Sequence, residues 1–141
     1  MLVVLVIVGI LVSFAALTIR SNPRSDLHEQ GERLALLFET AGDEAQVRAH
    51  PLAWQPTDHG FSFLVLTSDG WRPIERDDLL HPRTWDAGVT DASINYPGSD
   101  SIARRVVFGT ESLDTPVQVT LHSTAGTVTI VGTGDGRYEV Q

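Results

Sequence analysis

Hydrophobic positions along this chain pass through three regimes. Residues 1–19 carry no charge, and Leu, Val and Ile occupy every side of any helix drawn through them. At 1.5 Å per residue that helix is ~28 Å long, close to the ~30 Å hydrocarbon core of a bilayer. A membrane-crossing helix over residues 1–22 is therefore predicted, with Leu2, Val3, Leu5, Val6, Gly9, Ile10, Val12 and Leu17 on its apolar surface. A secretory signal peptide fits less well. It needs a basic head, a shorter apolar run and small residues before the cut, whereas Phe14, Ala15, Ala16 and Leu17 make a poor cleavage site. Arg20 and Arg24 follow the span at once, and taken alone they would keep the rest of the chain on the cytoplasmic side.

In the second regime the apolar residues fall on one side only. Leu27, Gly31, Leu34, Phe38, Ala41 and Ala45 recur at steps of three and four, with Leu37 beside them, while Glu29, Glu32, Arg33, Glu39, Asp43 and Glu44 lie mostly elsewhere on the wheel. This is the spacing of an amphipathic helix. Pro51 stops it near residue 49, because the residue before a proline is pushed out of helical geometry. Pro23 either kinks one continuous helix or begins the second segment behind Asn22 as a cap, and the kinked rod is the expectation.

From residue 50 onward the period becomes two. Phe61, Phe63 and Val65 alternate with Ser62, Leu64 and Leu66; Val117, Val119 and Leu121 alternate with Gln118, Thr120 and His122; Val128 and Ile130 alternate with Thr127 and Thr129. These are strands, and shorter ones are predicted at 52–55, 71–74, 89–96, 104–108 and 137–140. Asp69-Gly70, Pro97-Gly98, Ala125-Gly126 and Asp135-Gly136 supply the turns. The fold class is α+β: a long N-terminal helix, transmembrane and then amphipathic, packed on a mainly antiparallel β-sheet that forms the other wall of the core. Leu27, Leu34, Phe38, Ala41, Phe61, Phe63, Val119 and Leu121 are the expected helix–sheet core. Residues 75–88 lack a period and read as an ordered loop with Leu79, Leu80 and Trp85 tucked beneath it.

Composition narrows the function. In 141 residues there are 18 acidic and 10 basic side chains, every basic one an arginine, giving a net charge of −8. That balance argues against nucleic acid or anionic lipid headgroups as partners. There is no cysteine, hence no disulfide and no thiolate metal site. The five histidines, His28, His50, His59, His81 and His122, show no metal-ligand spacing. Glu75, Asp77 and Asp78 lack the regular oxygen spacing of a calcium loop. Gly132-Thr133-Gly134-Asp135-Gly136 lies between two strands without the helix a phosphate loop requires, so it reads as a hairpin turn. No nucleophile motif appears. No catalytic residue, cofactor or metal is therefore expected.

The apolar run from Met1 to Leu11, with Gly9 inside it, resembles the second half of the type IV pilin-like N-terminal motif. Further blocks resemble general secretion pathway protein H, the minor pseudopilins H of type II secretion. They are Glu32 to Phe38, Asp43-Glu44-Ala45 with Arg48, Gly60-Phe61-Ser62-Phe63, Gly70-Trp71-Arg72-Pro73-Ile74, Asp77-Asp78-Leu79-Leu80 and Val107 to Val117, in the family's order over nearly the whole chain.

The resemblance implies a pilin-like, single-pass protein of the bacterial inner membrane. Residues 1–22 would form the transmembrane and assembly helix, and 23–141 a periplasmic domain with its helix at 23–49 and β-rich part at 50–141. It implies leader cleavage with methylation, the major pseudopilin G, the minor pseudopilins I, J and K, the inner-membrane assembly platform and membrane lipid as partners, and export of folded proteins. The motif's glutamate, peptidase site and basic leader would precede Met1, so an internal start is the expectation, which also accounts for the topology conflict of Arg20 and Arg24. Leu17 stands where many pilins have a kinking proline. Two other classes fit less well. A FimT-like minor pilin of DNA uptake should present a basic surface, yet residues 134–141 hold only Arg137 against Asp135 and Glu139. An exported enzyme would need a cut near Ala16.

Overall fold

The computed structural model describes residues 23–99, 103–110 and 115–141. The predicted membrane helix and its junction with the amphipathic segment lie outside the described residues. Among those described, no helix is long and apolar enough to cross a membrane.

Helix α1 is described over Pro23–Arg48. It ends one residue before the expected limit. Ala49 turns into the left-handed region at φ 54°, its N–H donates to Gln46 O at 3.3 Å, and the His50 N–H reaches Ala45 O at 3.2 Å. This pair of bonds satisfies the Ala45 and Gln46 carbonyls, and Pro51 prevents continuation. The buried face of α1 is the one its spacing predicts: Leu27, Gly31, Leu34, Phe38, Ala41 and Ala45 are all buried.

Among the described residues nine strands follow, and they form two antiparallel sheets where the sequence suggests one. β1 (Leu52–Pro56), β2 (Gly60–Thr67), β3 (Gly70–Pro73), β4 (Arg83–Thr84) and β6 (Val106–Phe108) make the first, in the order β3-β2-β1-β6, with β4 also on β2. β5 (Val89–Asn95), β7 (Val117–Ser123), β8 (Gly126–Gly132) and β9 (Tyr138–Val140) make the second, in the order β5-β7-β8-β9. Period two identifies strands without saying which of them pair, so the division into two sheets was not legible. α1 lies across both, touching β1 and β6 of one and β8 and β9 of the other.

In β7 and β8 of the second sheet the alternation is clean, with Val117, Val119, Leu121, Val128 and Ile130 inward, while β5 breaks it at a register shift between Val89 and Asp91. The first departs from it. Leu52, Ala53 and Trp54 are buried in succession, and in β2 Leu64 is buried while Val65 is only half-buried. Both faces of these central strands are partly covered, which period-two reasoning does not foresee.

The segment 75–88 is corrected in two respects. It contains β4, which pairs Gly60 with Thr84 and Phe61 with Arg83. A Cβ on Gly60 would lie 1.9 Å from the Arg83 carbonyl oxygen, so only glycine permits this pairing. Leu80 is fully buried and Trp85 half-buried, as expected, but Leu79 is 51% exposed. Asp77 sets that choice, because accepting the N–H groups of both leucines winds the chain into a turn that can bury only one of them.

Candidate assembly surface

The site is built outward from α1. Phe38, fully buried, projects from the helix between the two sheets. Its ring centroid is 5.1 Å from Trp54 on β1, 5.5 Å from Phe108 on β6 and 5.2 Å from Tyr138 on β9. Edge-on and tilted contacts of this kind are worth ~0.5–1.5 kcal/mol each beyond area burial. Phe61 and Phe63 sit 6.1 Å apart on β2, and Phe61 also meets Trp54 and Trp85. Leu27, Leu34, Ala41, Val119 and Leu121 are buried in the same core. Trp54, Phe108 and Tyr138 were not foreseen as partners of Phe38, because they come from three strands far apart in sequence. Leu2, Val3, Leu5, Val6, Gly9, Ile10, Val12 and Leu17 lie outside the described residues.

The two sheets hold the helix differently. Toward the second sheet, a Cβ on Gly31 would come within 3.2 Å of Val128 and 3.3 Å of Val140, so absence of a side chain sets the approach. On the side of the first sheet the end of the helix is clamped by charge. Arg48 gives Nε to Glu44 Oε2 at 2.9 Å and Nη2 to Asp77 Oδ2 at 3.1 Å. Asp77 Oδ1 accepts the N–H groups of Leu79 and Leu80 at 2.9 and 3.0 Å. Those two amides, and then Arg48, hold its carboxyl below the ordinary value of 3.8.

Several candidates for chemistry are occupied with local structure. Asp77, the centre of the acidic loop, spends both oxygens on this clamp. In the glycine-rich turn between β8 and β9, Asp135 Oδ1 accepts Thr133 Oγ1 at 2.6 Å and the Arg137 N–H at 3.1 Å. Those bonds, the Thr133 hydroxyl first, lower its pKa. His28 lies 3.0 Å from Glu32, His81 Nδ1 3.0 Å from Pro82 O, and His122 Nε2 3.1 Å from Ser93 Oγ. Among the described residues no group of three or more His, Cys, Asp or Glu side chains is placed to hold a metal ion.

Two hollows lie along the flanks of α1. On one, Gln30, Arg33, Leu34 and Leu37 face Phe61 and residues 81–84 and 86 across a cleft of about 410 Å³. On the other, Glu32, Ala35, Leu36 and Glu39 meet Tyr138, Glu139 and Val140 around a hollow of about 380 Å³. At ~100° per residue the centres of the two sets are about 160° apart around the helix, so they face away from each other. The first carries arginines, the second carboxylates. Leu36, 63% exposed, stands in the second.

Residues 30–140 match the family described as type II transport protein GspH. No curated protein sequence matches the chain. The fold is similar to two structures of the minor pseudopilin EpsH from the type II secretion system of Vibrio cholerae. One has a TM-score of 0.64 at 13% identity, covering 82% of this chain and 96% of that one; the other has 0.65 at 13%, covering 81% and 92%. It is also similar to the solution structure of Escherichia coli GspH, with a TM-score of 0.61 at 18% identity over 80% of this chain and 85% of that one.

Proposed function

The chain belongs to the type II transport protein GspH family, and from that premise we propose that it serves as a minor pseudopilin of type II secretion and that its fold is built for assembly. Residues 1–22 form a single inner-membrane span, and the domain from residue 23 stands in the periplasm. The apolar surface of Leu2, Val3, Leu5, Val6, Gly9, Ile10, Val12 and Leu17 is solvated by lipid before assembly and by neighbouring helices afterwards. All-round hydrophobicity suits both states, since lipid tails and packed helices are equally apolar. The partners are the major pseudopilin G, the minor pseudopilins I, J and K and the assembly platform, and the filament they build helps export folded proteins across the outer membrane.

In this reading the protein carries load and catalyses nothing. The family match over residues 30–140 carries the proposal, and the seating of α1 in both sheets through Phe38 supports it, because a force on the helix reaches the whole domain. A DNA-uptake pilin is not favoured by that match.

Leu5→Arg or Gly9→Arg tests it. A charge near mid-bilayer costs at least ~2.5 kcal/mol, so either variant should abolish membrane insertion or polymerisation. The readout is membrane fractionation, together with the amount of exported protein in the medium of a deletion strain carrying the variant. Secretion restored to the wild-type level would overturn the proposal.

A further inference from the structure

A strand at the rim of a sheet directs every second N–H and C=O outward, where another chain can pair with them. Among the described residues the rims lie at β3 with β4, at β6, at β5 and at β9. Three of these are blunted. β3 ends on Pro73, which has no N–H to offer, and β4 has only two residues. β5 shifts register between Val89 and Asp91. β9 lies against α1, where Glu39 Oε1 accepts the Tyr138 N–H at 3.2 Å.

β6 has no proline, bulge or helix of this kind. Its residues, Val106, Val107 and Phe108, are β-branched or aromatic, a composition that invites pairing, and Val107 is 45% exposed. Among the described residues, what meets its outward groups is one hydroxyl. Tyr96 Oη accepts the Val107 N–H at 3.1 Å and donates to Arg105 O at 3.4 Å. Val107 stands opposite Ala53 of β1, and an N–H given to Tyr96 is one directed away from β1, so the hydroxyl occupies the place of a next strand. A carbonyl and an N–H two residues apart are the groups that such a strand would engage. A tyrosine hydroxyl serves both because it accepts and donates at once.

The hydroxyl comes from the other sheet. Tyr96 follows β5 directly and is set by a turn in which its carbonyl accepts the Ser99 N–H at 3.0 Å across Pro97 and Gly98, the glycine at φ 87°. Beside it a hollow of about 490 Å³, lined by Pro97, Gly98, Arg105 and Val107 among others, leaves the approach to the edge open. Bulk does not close this edge. The bond to Arg105 O is long for a hydroxyl donor, so a strand bringing two well-formed bonds would displace it.

We propose that Tyr96 is an autoinhibitory plug: its hydroxyl holds the β6 edge closed, and an extended polypeptide segment adds to the first sheet only by displacing it. The wild-type chain therefore does not pair with its own copies through β6.

Tyr96→Phe keeps the ring and deletes only the plug. The segment most available to the freed edge is then the freed edge of a second copy. Full-length wild type, Tyr96→Phe and the double variant Tyr96→Phe/Val107→Pro are compared by sedimentation velocity in detergent micelles, with near-ultraviolet circular dichroism to verify the fold. Proline at 107 removes the outward N–H without taking a bond from β1. The association constant of Tyr96→Phe should rise about tenfold, within what one or two net hydrogen bonds carry, and Val107→Pro should return it to the wild-type value. Glu39→Ala, at an edge that the helix covers, should leave association unchanged. Association of Tyr96→Phe equal to wild type, a rise that persists with Val107→Pro, or an equal rise in Glu39→Ala would overturn the plug.

Discussion

The two sheets grip one helix by different physics. The first engages it with bulk and charge: Trp54 and Phe108 close on the Phe38 ring, and Asp77 clamps Arg48 at the last turn. The second engages it by proximity. Gly31 lets the backbone settle onto Val128 and Val140, and one ring, Tyr138, completes the cage around Phe38. An interface built on rings is damaged by deleting atoms, and one built on a gap is damaged by adding them. The comparison therefore predicts opposite sensitivities on the two sides of α1.

Phe38→Ala should be the most damaging change, since the ring belongs to both sides. A loss of ~3–5 kcal/mol is expected in urea unfolding followed by near-ultraviolet circular dichroism. A loss under about 1 kcal/mol would show that the ring is not shared. Gly31→Leu comes next, at ~1–3 kcal/mol, because its side chain must displace Val128 and Val140. Gly31→Ala should stay within ~1 kcal/mol of wild type, its tighter contact offset by better helix propensity. Equal tolerance of alanine and leucine would remove the distinction between the two sheets.

Asp77→Asn is the mildest, at about 1 kcal/mol, since the site is partly exposed and asparagine still accepts a backbone N–H. Its dependence on pH is the sharper signature. The carboxyl pKa is lowered in the folded state, by the Leu80 and Leu79 amides and then by Arg48, so the stabilisation is present above the ordinary value of 3.8. It disappears as pH falls through the folded value below that. Wild type and Asp77→Asn should thus differ at neutral pH and converge in acid. A gap that stays constant down to strong acid would show that Asp77 acts without its charge.

Strands β7 and β8 and the buried stripe of α1 are readable because each obeys a single period over many residues. Val117, Val119 and Leu121 announce β7 as plainly as Leu27, Leu34 and Phe38 announce the helix. The first sheet was less readable. Leu52, Ala53 and Trp54 are buried in a row, and β4 is two residues held in place by Gly60, a contact 23 residues away in sequence that no local pattern encodes. The flanks of α1 were harder still. Arg33 and Arg83 are 50 residues apart, and only the return of residues 81–84 to the helix places them in one cleft. Nothing in their neighbours distinguishes them from other surface arginines.

The shared ring has a mechanical corollary. Phe38 is wedged among Trp54, Phe108 and Tyr138, so a pull along the axis of α1 loads both sheets in shear at once. Releasing either sheet uncovers part of that ring, so the two grips are coupled through it. The head should therefore yield in a single rupture event under tension, with no half-detached stage.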